Sequence, residues 1–118
     1  MAKHLPVSFA SYVASNLPID DAKLLAGNPQ PTIDHRYSDD TEQFHCGMWG
    51  SAPGRWRIHY TEHEFCYLLF GRVQLVSDNG EVFEYQGGDA FVIPAGFSGT
   101  WETIESCRKH YALFEPKP

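Results

Sequence analysis

From residue 41 onward, short apolar runs are cut by turn signals at intervals of about 8–12 residues, the rhythm of an all-β sandwich or barrel. The breaks are A-P-G (52–54), S-D-N-G (77–80), Q-G-G-D (86–89), P-A-G-F-S-G (94–99) and E-S (105–106). The runs between them predict strands over Phe44–Ser51, Arg55–Tyr60, Glu64–Phe70, Arg72–Ser77, Val82–Tyr85, Ala90–Ile93, Thr100–Ile104 and Cys107–Phe114. Asp78-Asn79-Gly80 is the clearest turn, because Asn and Gly tolerate the positive φ of a tight hairpin. Nine of the ten glycines lie after residue 46, mostly between runs, which favours hairpins over helices.

Residues 1–40 differ in character. They hold four of the eight prolines and one glycine. Prolines fix φ and remove donors, so N-P-Q-P-T (28–32) predicts an extended connection. Residues 8–17 suit a short helix, and residues 20–25 suit either a helical turn or a strand. The expectation is an N-terminal arm over residues 1–40 that packs on the barrel or on a partner subunit, followed by one β domain over 41–118.

Charge and length narrow the function classes. The net charge is −6, from 9 basic and 15 acidic residues. Nucleic-acid backbones and anionic membranes both call for a basic footprint, so neither is an expected partner. No run of about 18 apolar residues exists to span a bilayer. The first residues, MAKHLPVSFASYVASNL, carry no sustained apolar core, so no secretion signal is expected. Cys46, Cys66 and Cys107 are odd in number and form no C-x-x-C pair. Reduced thiols in a cytoplasmic protein are expected.

The stretch HYTEHEFC (59–66) concentrates metal-ligand residue types. Its neighbour, Arg55–Tyr60, alternates cleanly: Trp56, Ile58 and Tyr60 share one face, and Arg55, Arg57 and His59 the other. Read alone, the strand puts its aromatic face in the core and its basic face in water. The next run is apolar on both sides, through Phe65, Tyr67, Leu69 and Cys66, Leu68, Phe70. That pattern predicts burial on both faces, and it leaves open the opposite facing, with Arg57 and His59 turned into a cavity.

The chain resembles the cupins, small jelly-roll β-barrels. In the first cupin motif, G-x5-H-x-H-x3-4-E-x6-G, Glu64 and Gly71 match E-x6-G, His59 matches the second histidine, and Arg57 stands at the first. In the second, G-x5-P-x-G-x2-H-x3-N, Gly88, Pro94 and Gly96 match, while Gly99 and Thr103 replace the histidine and asparagine. Residues 46–73, 88–102 and 108–113 are similar to a subgroup that includes ureidoglycine aminohydrolase domains. The resemblance covers roughly residues 25–115.

The resemblance implies a divalent transition metal on three histidines and a glutamate, but here only His59 and Glu64 stand at those positions. Arginine cannot lose its proton to become a ligand, and glycine has no side chain. Two protein ligands rarely hold a divalent ion. His63, Glu62, His45 and His110 are further candidates, with Cys66 less suited. The replacements point instead to a metal-free pocket of Arg57, His59 and Glu64. Trp101, two residues beyond Gly99, and Lys109 and Tyr111 on the last strand share its expected facing. Trp101 and Tyr111 suit plain core equally well.

The expected function is binding of a small polar or anionic molecule in the barrel. A metal-dependent enzyme acting on a small nitrogen-containing or carbonyl compound is the alternative that the ureidoglycine resemblance implies. A non-catalytic structural module with a filled barrel is a second alternative. No catalytic residue is assigned, because no Ser or Cys sits in a nucleophile elbow. With Arg57 and His59 inward, the aromatic stripe of Trp56, Ile58 and Tyr60 would face out, which predicts a homodimer.

Overall fold

The computed structural model describes residues 2–118. A 3-10 turn at Phe9–Ser11 precedes nine strands: β1 (Ser15–Asn16), β2 (Leu24–Gly27), β3 (Thr32–Ser38), β4 (Phe44–Ser51), β5 (Gly54–His59), β6 (His63–Ser77), β7 (Val82–Gln86), β8 (Ala90–Ile93) and β9 (Ser98–Phe114). All pairings are antiparallel. Among the described residues no helix is long and apolar enough to cross a membrane.

Two long strands organise the barrel. β6 and β9 pair from His63↔Phe114 to Ser77↔Gly99. The sequence predicted each as two strands, but both run through. Their ladder shifts between Leu68 and Val73. Gly71 adopts φ +96° there, a conformation open to glycine at no steric cost. Beyond the shift the partners change. β4 pairs the C-terminal part of β9 and β5 its N-terminal part. β8 pairs the start of β6 and β7 its end. The result is a jelly-roll barrel of two layers, β1-β3-β4-β9-β6-β8 and β2-β5-β9-β6-β7, with β6 and β9 common to both.

Among the described residues the N-terminal region forms no helix beyond the 3-10 turn. β1 joins β3 and β2 joins β5 at the sheet edges. Residues 32–38, grouped with the arm by composition, are a full strand of the sheet against β4. The arm lies on the outside of the barrel, where Arg108 places its guanidinium 3.8 Å from the Tyr12 ring centroid. The Val13 amide donates to Asp34 at 2.9 Å.

The core lies between the layers. Trp56, Cys66, Leu68, Val73, Leu75, Phe91, Ile93, Trp101 and Cys107 form one buried cluster. β6 does not bury both faces as its apolar run suggested. Cys66 and Leu68 are fully buried, whereas Phe65 is 51% exposed. The alternation of a strand holds even where both faces are apolar.

The bend generates a testable contrast. A Cβ at Gly71 would collide with the Ser106 carbonyl and lie 2.6 Å from Cys107 Cα, whereas one at Gly80, φ +89°, meets nothing within 4 Å. Gly71→Ala is expected to cost about 3 kcal/mol or more, and Gly80→Ala about 1 kcal/mol. Urea unfolding of both variants checks this, and equal losses would contradict the tight corner.

Candidate functional site

Which face of β5 turns inward decides the site. Trp56 sits directly opposite Trp101 in the β5–β9 ladder, and both are buried. Trp49 packs edge-on to Trp101 with ring centroids 5.5 Å apart. Arg55, Arg57 and His59 therefore point to water. The inward Arg57–His59 pocket is corrected by this facing. Arg57 instead donates to Asp78 at 2.9 Å on the surface. The cause is energetic: burying a tryptophan face is favourable, and burying two unpaired guanidinium groups is very costly.

The motif register changes with it. Taking the three-residue spacing of the first cupin motif, the histidine positions fall on Ile58 and Tyr60, both on the inner face. His59 leaves the set. Of the sequence-derived pocket, the structure brings together Glu64, Trp101, Lys109 and Tyr111. They share a cavity of about 220 Å³ with Trp49, Trp56, Ile58, Tyr60 and Glu62.

Lys109 and Glu64 are the chemical centre of that cavity. Lys109 Nζ stands 3.2 Å from Glu64 Oε1, and both side chains are nearly inaccessible. The ammonium also lies 3.4 Å from Cys66 Sγ, 4.5 Å from the Trp101 ring centroid and 4.9 Å from that of Trp49. Two aromatic faces thus solvate the charge that water would otherwise hold. Tyr60 donates its hydroxyl to the same Glu64 oxygen at 2.7 Å. The second carboxylate oxygen keeps acceptor capacity for a ligand.

The electrostatics follow from burial. Desolvation acts to lower the Lys109 pKa, but Cys66, Glu64 and Tyr60 raise it, and the net shift is upward. Burial pushes the Cys66 thiol up to about 12, and it pushes the Tyr60 phenol up as well. Both are neutral at ordinary pH, so Glu64 is the anion that holds Lys109 charged. Desolvation, then repulsion from Glu115, raises the Glu62 carboxyl at the cavity mouth.

The donor set does not fit a divalent metal. No histidine faces Glu64 from β5, Gly99 contributes no side chain, and an ammonium already neutralises the carboxylate. The remaining candidates do not complete a set. His63 is exposed and accepts from the Ala95 amide, and His45 bonds to Ser38. Among the described residues no three His, Cys, Asp or Glu side chains are grouped to hold an ion.

Sequence reasoning missed Tyr60, Trp49 and Trp56 as cavity walls. The signal was parity: Ile58, Tyr60 and Glu64 are an even number of residues apart, whereas His59 and Glu64 are not. A larger groove of about 470 Å³ opens between β7 and β8, floored by Leu75, Phe91 and Ile93. Of the acidic residues lining it, Asp78 is paired with Arg57 and Glu81 accepts from Asn79. The smaller cavity is the candidate site because it alone encloses a buried charged pair.

Breaking one half of a buried pair leaves the other uncompensated. Glu64→Leu and Lys109→Met are each expected to cost about 3–5 kcal/mol, and the double variant to recover most of the loss. Urea unfolding of the three variants tests the coupling. Simple additivity would show that the pair is not coupled.

The comparisons agree with this architecture. A family model described as the EutQ-like cupin domain matches residues 38–111. A DUF861-family protein of unknown function from Pseudomonas syringae is 25% identical with a TM-score of 0.79; the alignment covers 87% of this chain and 45% of that one. This chain thus spans less than half the length of that relative. A DUF861-family protein from Thermotoga maritima is 31% identical over 57% of this chain and 76% of its own, with a TM-score of 0.56. The Clostridium difficile EutQ protein shares the fold at 14% identity and a TM-score of 0.68, over 86% of this chain and 76% of that one. No curated protein matches the chain. The chain belongs to the EutQ-like cupin domain family.

Proposed function

We propose that this protein binds a small polar molecule rich in N–H groups inside the barrel, without a metal. The observation that carries the reading is the Lys109–Glu64 pair set in an aromatic-walled cavity. Two carboxyl groups, Glu62 and Glu64, line the cavity with one ammonium, Lys109. The excess is acceptor and negative, which suits a neutral amide or a cation rather than an anion. The anionic class rested on an inward Arg57, and Arg57 stands outside. The ureido group belongs to the favoured class, and the resemblance to ureidoglycine aminohydrolase domains puts it first for trial. A filled structural module is disfavoured by the cavity itself.

Isothermal titration with methylurea, ethylammonium and acetate tests this. Methylurea or ethylammonium should bind, and Glu64→Gln should weaken binding by about tenfold or more. Preferential binding of acetate would overturn the reading.

One outer face of the barrel is apolar, and a second copy of the chain is its proposed occupant. Val92, Phe65, Ala112, Cys46 and Tyr37 lie in register across five strands. Val92 is 60% exposed and Phe65 51%. A flat stripe of this kind is self-complementary about a two-fold axis. This face replaces the Trp56 stripe as the expected dimer contact. Light scattering should give a dimer for the native chain and a monomer for Phe65→Asp/Val92→Asp. A native monomer would refute it.

A further inference from the structure

Four hydrogen bonds connect the cavity wall to the end of the barrel. The Tyr111 hydroxyl lies 2.8 Å from His35 Nδ1, and His35 Nε2 lies 2.7 Å from Ser38 Oγ. Ser38 Oγ lies 2.7 Å from His45 Nδ1, and His45 Nε2 lies 3.0 Å from the Glu42 carbonyl oxygen. β3 and β4 supply the imidazoles and β9 the phenol. Gly47 makes room for the phenol, since a Cβ there would stand 2.9 Å from the Tyr111 hydroxyl.

The last bond orients all the others. A carbonyl only accepts, so His45 Nε2 carries a proton. In neutral His45, Nδ1 is then an acceptor, and Ser38 donates its hydroxyl to it. The Ser38 oxygen is left to accept from His35 Nε2–H. His35 Nδ1 is in turn an acceptor, and Tyr111 donates to it. With both imidazoles neutral, the Tyr111 oxygen offers only acceptor capacity to its surroundings.

We propose that His35, Ser38 and His45 are positioning residues that set the hydrogen-bond polarity of Tyr111, and so make it a specificity-determining residue of the cavity. Uptake of one proton by the imidazole pair reverses it. Protonated His45 donates from Nδ1 to Ser38, Ser38 donates to His35 Nε2, and His35 Nδ1–H donates to Tyr111. A proton on His35 itself has the same effect at Nδ1. Either way the Tyr111 hydrogen is released to face a ligand. The chain gains one proton from solvent and loses none, so the local charge rises by one. The neutral chain selects a ligand donor at Tyr111, and the protonated chain selects an acceptor. The ligand part rests on the cavity reading above; the polarity does not.

Charged or titratable groups near the chain include Asp34 and Arg36 on β3, Asp39, Asp40 and Glu42 in the β3–β4 turn, Cys46 on β4, Lys109 on β9, Glu64 on β6 and Lys117 in the C-terminal segment. Asp34 and Arg36 are paired with each other at 2.7 Å, and Lys117 with Glu42 at 3.7 Å. Asp39 accepts from the Gln43 and Phe44 amides.

Nitrogen-15 NMR of the imidazoles, in the whole protein from about pH 8 to about pH 5, reads the polarity directly. His35 should carry its proton on Nε2 at the upper end and gain one on Nδ1 in the same step in which the pair takes up a proton. Ser38→Ala, at an exposed position, should uncouple the two rings so that His45 titrates without a change at His35 Nδ1. A His35 that holds Nδ1–H throughout, or never gains it, would overturn the proposal, as would an unchanged coupling in Ser38→Ala. Methylurea titrated at both pH values separates the two readings. A polarity that switches while methylurea fails to bind at either pH leaves the relay standing and removes the cavity assignment.

Discussion

Trp56 and Trp101 stand opposite each other in the β5–β9 ladder, and that contact sets the facing of every residue on β5. A strand presents alternate residues to alternate sides, so one buried indole commits its neighbours to water. Arg55, Arg57 and His59 go outward together, and Ile58 goes in. The inner positions that a metal-binding relative fills with imidazole are held here by an alkyl group and a phenol. From this one facing follow the lack of an imidazole beside Glu64 on β5, the position of the cavity and the surface role of Arg57.

The interior still needs a cation, because Glu64 is buried. Lys109 supplies it from the neighbouring strand, at 3.2 Å. A divalent ion would bring open coordination sites and exchangeable water. An ammonium on a strand brings a fixed charge with directed donors and nothing to exchange. Such a centre can hold and orient a molecule and can polarise it by hydrogen bonding. The aromatic faces of Trp49 and Trp101 complete the shell that makes a fully buried ammonium tolerable.

Much of the fold was legible because β structure writes its punctuation locally. The turn at Asp78-Asn79-Gly80, the alternation of β5 and the apolar runs of β6 and β9 all depend on near neighbours. Continuity across the bend was not legible. Gly71 and Glu105-Ser106 look like breaks, yet β6 and β9 pass through them because each is held by the other. Glu64, Trp101, Lys109 and Tyr111 were expected together from motif position and strand parity, and they line one cavity. Arg57 and His59 were misplaced because a motif with a variable spacer allows two registers, and the two registers differ by one residue and hence by one face.

The sequence by itself determined the class of fold, the cupin superfamily and the presence of an inward glutamate, but not the EutQ-like family within it. Those rest on turn chemistry, periodicity and short spacings, which act over a few residues. The tertiary structure alone decided which cation meets that glutamate and which rings wall the cavity. It alone linked Tyr111 to His35, 76 residues away in the chain. Lys109 and Glu64 are 45 residues apart. Pairings over such separations are set by the register of β6 on β9 and of β3 on β4, and register is a property of the closed sheet as a whole.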